Sequence, residues 1–349
     1  MNDWWFLALA ALPVLGLLLA GVVVRGRRRA ADPDPLTAEP EDRPLAAVVV
    51  NPTKVEPGTR ARIESVCTGL GWADPLWLET TVEDPGTGQA ALAVEKGADV
   101  VLACGGDGTV RSVAEALAGT GVAMGLVPAG TGNLLARTVG TPDGVVAATR
   151  VALTGDDRPI DVGRIRIDGA EEERVFLVMA GTGFDAAIME STPETLKGRV
   201  GPLAYVISGL RAMRGRRMRV TLTLDDGPPL RRRTRTVLCG NSGTLLGGLV
   251  LMPRATVDDG VLDVVSLAPS TVAGWVAVAL RVITRQRRGD RRVEHWQARS
   301  IVIRSESPQP CQVDGDPVGD ARELAIRVDP HALILRVPDV APPGTPDPG

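Results

Sequence analysis

The sequence predicts an α/β domain followed by a β-rich antiparallel sandwich domain, with one transmembrane helix in front of both. Over residues 45–158, short apolar runs alternate with helical patterns, which is typical of a parallel sheet with helices on both faces. Over residues 159–337, apolar and polar residues alternate within short runs that turn residues separate, which indicates antiparallel strands. Residues 4–24 carry no charge, and a helix of that length would cross a bilayer.

Length and composition agree with this architecture. The chain has 349 residues, of which 44% are hydrophobic, so about two domains are expected and wholesale disorder is excluded. The net charge of −3 disfavours a protein built to bind nucleic acid. The four cysteines show no paired spacing, so neither a disulfide framework nor a zinc site is expected.

The front of the chain is expected to be a membrane anchor with a basic flank, residues 1–29. Arginines follow the uncharged run directly, beginning at Arg25, which places the N-terminus outside and the rest of the chain in the cytoplasm. We therefore expect a single-pass protein of the cell membrane with a cytoplasmic catalytic part. Residues 30–44, rich in proline and acidic side chains, predict a disordered linker, and residues 338–349 a disordered tail.

The α/β domain is expected to repeat a strand followed by a loop and a helix. Its predicted strands are residues 46–50, 76–78, 99–104 and 124–128. Its predicted helices are residues 60–70, 89–96, 110–117 and 134–137. Ligands of such sheets bind at the carboxyl ends of the strands, so the loops that follow these strands are candidates for a site.

Two glycine-rich turns follow the third and fourth strands. The first comprises Gly105, Gly106, Asp107, Gly108 and Thr109. Its glycines allow a ligand to approach the backbone closely, and the N–H groups that begin the next helix favour phosphate. The Asp107 carboxylate could hold a metal ion bound to the phosphates. A plain tight turn is the alternative at this motif.

The second turn comprises Gly130, Thr131, Gly132 and Asn133. Neither turn has the spacing of a P-loop or of the dinucleotide-binding fingerprint. Two glycine-rich turns at one edge of a sheet nevertheless favour a phosphate-binding site there.

These turns, with Asn51-Pro52-x-Lys54 before them, resemble the bacterial diacylglycerol kinase family, which shares a catalytic domain with sphingosine and ceramide kinases. Motifs at residues 180–185, 253–263 and 313–317 also match. The resemblance covers residues 45–337. It implies an NAD-kinase/phosphofructokinase-like fold, with the last strand as one that could return to the first domain, and ATP and Mg²⁺ as cofactors.

The resemblance also assigns roles to single residues. It implies that the nucleotide is bound by the two glycine turns together with Asn51, Lys54 and Thr81, with Thr80 as a near-equal choice. Asp107 would be a catalytic residue at the site where the metal ion and the phosphates bind. Asp316 would be the general base, although the family has a glutamate there and this side chain is one methylene shorter.

Two further positions bear on metal binding. Leu134 stands where many members of the family have an aspartate that is thought to support magnesium or nucleotide binding. The resemblance places a structural Mg²⁺ between the carboxylates of Asp258 and Asp263 and the carbonyl of Val261. Oxygen groups around a tight turn suit a hard divalent ion, and a solvated Asp-Asp-Gly hairpin is the alternative.

The function that this resemblance implies is ATP-dependent phosphorylation of the diacylglycerol hydroxyl to phosphatidic acid at the cytoplasmic membrane face. The alternatives are a kinase for a sphingoid base or another lipid, an NAD kinase, and a non-catalytic nucleotide-binding membrane regulator. Arginine clusters at residues 211–219, 231–233 and 285–292 indicate an anionic lipid partner or a solvated face. They contain almost no aromatic residues, which disfavours nucleic acid. A homodimer is a further option.

Overall fold

The computed structural model describes residues 43–183, 217–243, 251–269 and 293–339. Hydrogen bonds join the strands of these residues into one sheet of fourteen strands. The sheet is parallel at one end and antiparallel over the rest. We describe the two parts in that order.

The parallel part contains four strands in the order β2-β1-β3-β4, connected by helices. The strands are β1 (Ala46–Val50), β2 (Leu76–Glu79), β3 (Val100–Gly105) and β4 (Ala123–Pro128). The helices are α1 (Thr59–Gly69), α2 (Thr87–Glu95), α3 (Asp107–Leu117), α4 (Leu134–Val139) and α5 (Val145–Thr154).

Helices cover both faces of the parallel strands because every residue of β1, β3 and β4 is buried and successive side chains point to opposite faces. On one face, Val49 belongs to a core that includes Ala93 of α2 and Val113 of α3. On the other, Val48 belongs to a core with Ile63 of α1. The strands therefore read as continuous apolar runs instead of alternating ones.

The antiparallel part encloses a second core. Its strands are β5 (Asp156–Ile167), β6 (Arg174–Phe176), β7 (Met179–Thr182), β8 (Met218–Leu224), β9 (Leu230–Thr234), β10 (Thr236–Gly240), β11 (Leu262–Leu267), β12 (Val293–Ala298), β13 (Ser300–Val313) and β14 (Asp316–Val337). Inward-facing residues of β8, β11 and β13, such as Leu222, Val264 and Ile303, share this core with Phe176. Alternation of inward and outward side chains thus builds a sandwich.

Strand β14 joins the two parts. It pairs antiparallel with β13 and with β5, and Leu335 pairs in parallel with Met124 of β4. Strand β14 therefore lies inside the sheet, between the antiparallel strands and the parallel ones.

The predicted α/β part followed by a β sandwich is confirmed. In the antiparallel part the alternation predicts strands at residues 175–179, 218–224, 235–239, 261–267, 300–303 and 324–328, so β5, β9 and β12 were missed, as was α5 in the first part. The start of α3 was placed three residues too late, because the glycine-rich motif itself forms the first turn of that helix. The sequence also predicts helices at residues 202–213 and 271–284, and both ranges lie outside the described residues.

The prediction of a transmembrane helix is corrected. Within the described ranges, no helix combines the length and the apolar composition needed to cross a bilayer, and the cell-membrane localisation that rested on such a helix is withdrawn with it. Residues 4–24 and most of the expected linker lie outside the described residues. The prediction was based on composition alone. An uncharged run indicates only that transfer out of water is favourable, whereas a membrane span also requires a continuous helix.

Candidate functional site

The two glycine turns touch each other at the carboxyl ends of β3 and β4. The Ala129 N–H donates to the Gly105 carbonyl at 2.9 Å. A Cβ built on Gly130 would lie 2.7 Å from the Gly106 Cα, closer than carbon atoms can pack. Glycine is therefore required at residue 130 for the backbones of the two turns to lie against each other.

Asp107 connects the two turns. Its carboxylate accepts the N–H groups of Asn133 at 2.9 Å and Leu134 at 2.7 Å, so a side chain at the start of α3 caps the start of α4. Burial raises the pKa of Asp107, and the nearby negative charge of Asp316 raises it further, while the amide donors oppose the rise. Asp107 is thus a structural clamp on the second turn as well as a charged group at the site.

The starts of the two helices differ in what they can offer a ligand. The first amides of α4 are occupied by Asp107. Gly106, which precedes α3, has no side chain to cap that helix, so the N–H groups of its first turn are available to an anion. The second turn is closed internally, because Asn133 accepts the Gly130 N–H and donates to the Gly130 carbonyl. The described geometry therefore favours α3 as the phosphate-binding helix.

Asp316 is held beside this helix by Arg111. The Arg111 guanidinium contacts the Asp316 carboxylate at 2.7 Å and donates to the Val313 carbonyl at 3.0 Å. A Cβ on Gly108 would lie 4.0 Å from the Asp316 carboxylate. The expected base therefore lies at the start of α3, with 57% of its side chain exposed.

Asp314 fixes the turn that carries Asp316. Its buried carboxylate accepts the backbone N–H groups of Leu177, Val178 and Met179 at 2.8–3.0 Å. Burial raises the pKa of Asp314, while the three amides and Arg111 oppose the rise. The β13–β14 turn is thus tied to the β6–β7 connection on one side and to α3 on the other.

The remaining predicted nucleotide residues lie at the same edge of the sheet. The Asn51 N–H donates to the Cys104 carbonyl at 2.9 Å, and the Thr80 N–H donates to the Val50 carbonyl at 2.9 Å, so the ends of β1, β2 and β3 are adjacent. Lys54 and Thr81 are exposed, whereas Thr80 is buried, so Thr81 is the threonine that presents its side chain outward.

The predicted metal loop is organised by other groups. The Asp258 carboxylate binds the Arg158 guanidinium at 2.9 and 2.7 Å, and the Gly260 N–H donates to the buried Asp161 carboxylate at 2.6 Å. Asp263 accepts a hydrogen bond from Gln297. Burial raises the pKa of Asp263, and the negative charge of the neighbouring Asp259 raises it further.

An arginine therefore already supplies positive charge to one of the two carboxylates of this loop. A cation shared by Asp258 and Asp263 would compete with Arg158 for the Asp258 carboxylate. The set of Asp258, Val261 and Asp263 stays a prediction, and catalysis as proposed below does not depend on it.

Sequence reasoning missed Arg111 and gave Asp314 no role. Arg111 is the second residue after the Gly-Gly-Asp-Gly-Thr motif, so one helical turn places it on the same side of α3 as Asp107. That spacing is the signal that could have found it. The role of Asp314 depends on hydrogen bonds to backbone groups that lie 135 to 137 positions earlier in the sequence. No local sequence pattern reveals contacts of that separation.

Comparison with known proteins places both parts of the chain in described families. The profile of the "Diacylglycerol kinase catalytic domain" matches residues 46–165, and that of the "YegS C-terminal NAD kinase beta sandwich-like domain" matches residues 178–337. The "Probable lipid kinase YegS-like" of Pseudomonas putida is 34% identical over 258 residues, which covers 72% of this chain and 81% of that protein.

Other relatives match a shorter stretch. The "Diacylglycerol kinase" of Mycobacterium tuberculosis is 36% identical over 176 residues, 50% of this chain and 56% of that protein. The chain also spans 56% of a YegS-like relative from Klebsiella pneumoniae. A crystal structure of a diacylglycerol kinase from Bacillus anthracis shares the fold, with a TM-score of 0.67, 22% identity, and coverage of 85% of this chain and 97% of that one.

Proposed function

Because this chain belongs to the bacterial diacylglycerol kinase family of lipid kinases, we propose that it transfers the terminal phosphoryl group of ATP to the hydroxyl of diacylglycerol. The product is phosphatidic acid. A mycobacterial relative named a diacylglycerol kinase supports this acceptor, although the shared segment covers 56% of that protein. A sphingoid base or another lipid alcohol is the competing acceptor.

The contact between the two glycine turns is the observation that carries the proposal. Among the described residues no side chain caps α3 at Gly106, and the start of that helix lies beside a surface of bare backbone at Gly106 and Gly130. A triphosphate needs both features. Its oxygens accept hydrogen bonds from amide N–H groups, and it can approach the backbone closely only where no side chains are in the way. In this proposal the turns position the phosphates, and Asn51, Lys54, Thr81 and Thr131 surround the nucleotide.

Asp316 is the proposed general base, and Arg111 is its positioning residue. A carboxylate can accept the proton of the attacking hydroxyl as the new bond to phosphorus forms. Glutamate would reach one methylene further than aspartate. In this chain the 2.7 Å contact with Arg111 holds the shorter side chain beside the start of α3, which compensates for the lost reach by fixing its direction.

A divalent cation fits the site beside the phosphates. The carboxylates of Asp107 and Asp316 are close enough for the charge of Asp316 to raise the pKa of Asp107, and a hard cation favours such oxygen pairs. Asp107 would help to hold it, while both of its oxygens keep their backbone donors. Mg²⁺ bound there would neutralise charge on the phosphates.

The proposal is tested with the purified full chain, γ-labelled ATP, Mg²⁺ and separate acceptors in detergent micelles. The acceptors are diacylglycerol, a sphingoid base and, in solution, NAD. We expect the label in phosphatidic acid after chromatographic separation. Label in the phosphorylated sphingoid base would replace the acceptor, and label only in NADP would overturn the lipid kinase assignment.

The residue roles are tested with variants at residue 316. Asp316→Asn is expected to lower kcat by about 10²–10⁴-fold, the usual contribution of a general base, and to leave KM for ATP nearly unchanged. Asp316→Glu restores the carboxylate of the family and is expected to keep measurable turnover. Asp143→Asn, an exposed aspartate away from the described contacts, is the matched control. Equal, near-zero rates in the native chain and Asp316→Asn would instead support a non-catalytic nucleotide-binding protein.

A further inference from the structure

A pocket of about 500 Å³ opens on the outer face of β8, β9 and β13. Its lining includes five arginines, namely Arg219, Arg231, Arg232, Arg233 and Arg304, together with Glu306. The pocket lies on the antiparallel part of the sheet, away from the glycine turns. Along β13 the nine residue-to-residue steps from Arg304 to Val313 span about 30 Å.

Strand register gathers four of the arginines on one face. Met218, Val220 and Leu222 of β8 point into the sandwich core, so Arg219 and Thr221, which alternate with them, point outward. Arg219 lies directly opposite Arg233. Thr221 lies opposite Arg231 on one side and Arg304 on the other.

The charges on this face are only partly balanced. Arg219 pairs with Glu306 at 3.3 Å and Arg304 with Glu323 at 2.6 Å. Arg232 lies opposite the inward-facing Val220, so it belongs to the other face, where it pairs with Glu294 at 2.8 Å. Within the described ranges, Arg231 and Arg233 have no acidic partner, and both are exposed.

This arrangement favours a bound anion. Like charges directly opposite each other on paired strands, such as Arg219 and Arg233, destabilise a sheet, and an anion between them would remove that cost. Guanidinium groups bind phosphate through parallel hydrogen bonds, and the outward-facing Thr221, which lies between Arg231 and Arg304, lines the same pocket. None of the lining residues is aromatic, so base stacking has no platform.

We infer that this pocket is a second binding site, specific for a phosphate-bearing anion, and that Arg231 and Arg233 are its principal ligands. Phosphate of this kind is found on phospholipid headgroups and as free inorganic phosphate. The site is separate from the proposed ATP site, and binding there needs neither ATP nor turnover.

The test uses the full chain without ATP and compares Arg231→Gln/Arg233→Gln with a control, Arg150→Gln/Lys96→Gln, which removes two exposed cations elsewhere. One arm measures binding to phosphatidylcholine vesicles with and without phosphatidylglycerol. The other measures thermal stabilisation by inorganic phosphate at constant ionic strength. For two surface arginines that each contribute roughly fivefold, the variant is expected to bind about thirtyfold more weakly.

The two arms separate the sources of the anion. Loss in the vesicle arm alone identifies a lipid headgroup, and loss in the phosphate arm alone identifies free phosphate; either supports the site. The inference is overturned if the variant and the control behave alike in both arms. Because no step involves ATP, that failure would leave the proposed kinase activity untouched, and failure of the kinase assay would leave this site untouched.

Discussion

Replacement of Asp107 by asparagine separates a structural role from a purely chemical one. Asparagine keeps one acceptor oxygen, which can bind one of the N–H groups of Asn133 and Leu134, but it presents its own N–H₂ to the other. One hydrogen bond to a charged acceptor is therefore lost, at a cost of roughly 1.5–3 kcal/mol. The neutral amide avoids the desolvation penalty of the buried carboxylate, so the net loss of stability should be about 1–2 kcal/mol.

Urea unfolding of Asp107→Asn at pH 7 measures this loss as a lower midpoint with an unchanged slope. Asp143→Asn, on an exposed loop, should unfold like the native chain. An Asp107→Asn protein as stable as the native chain would refute the clamp and leave Asp107 only a role toward metal and phosphate.

The raised pKa of Asp107 also determines how the stability difference between the native chain and Asp107→Asn changes with pH. Because the pKa of Asp107 is raised in the folded state, the folded chain takes up a proton more readily than the unfolded chain as the pH falls through the raised pKa. The cost of burying the charge is then relieved. As the pH falls, the free energy of unfolding of the native chain should therefore increase relative to that of Asp107→Asn. If the difference between the two free energies became smaller instead, the pKa of Asp107 would not be raised in the folded state.

Three further predictions concern neighbouring features. Gly130→Ala should destabilise the protein by about 1–3 kcal/mol through overpacking and raise KM for ATP, whereas Gly69→Ala, with open space around it, should not; equal unfolding midpoints would contradict the contact between the turns. Asp316→Asn should lower the pKa of Asp107 in a carboxyl NMR titration, since it removes a negative charge that raises this pKa; an unchanged pKa would mean that the carboxylates do not interact. Arg158→Gln should lower Tm, while EDTA should have the same effect on the Tm of the native chain and of Asp263→Asn; a chelator effect that is lost in Asp263→Asn would show that the Asp-Asp-Gly loop holds a metal.

Local patterns predicted those elements whose burial is uniform along the strand. Residues 46–50 and 124–128 form buried parallel strands as expected, because a strand buried on both faces is a continuous apolar run. Strand β9 was missed because three consecutive arginines, residues 231–233, give no apolar alternation. Its register against β8, not its composition, makes it a strand.

The sequence predicted where the glycines of the site lie, but it did not predict the side-chain contacts that hold the site together. The motifs place Gly106 and Gly130 at one edge because parallel strands end there together. No pattern predicts that Asp107 caps α4, since Asp107 and Asn133 are 26 positions apart in sequence and only the fold brings them together. The same holds for Arg111 and Asp316, which meet across the boundary between the parallel and antiparallel strands.

The position of β14 has a consequence for biosynthesis. It is the last strand in the sequence of the described residues, yet it supplies the neighbour of β4 and of both β5 and β13. A nascent chain on the ribosome can assemble β1 to β4, but β4 keeps a bare edge until β14 has emerged. Such an edge is a template for wrong pairing. Removal of β14 should therefore lower the solubility of the α/β part, although most of this strand lies far from the glycine turns in sequence.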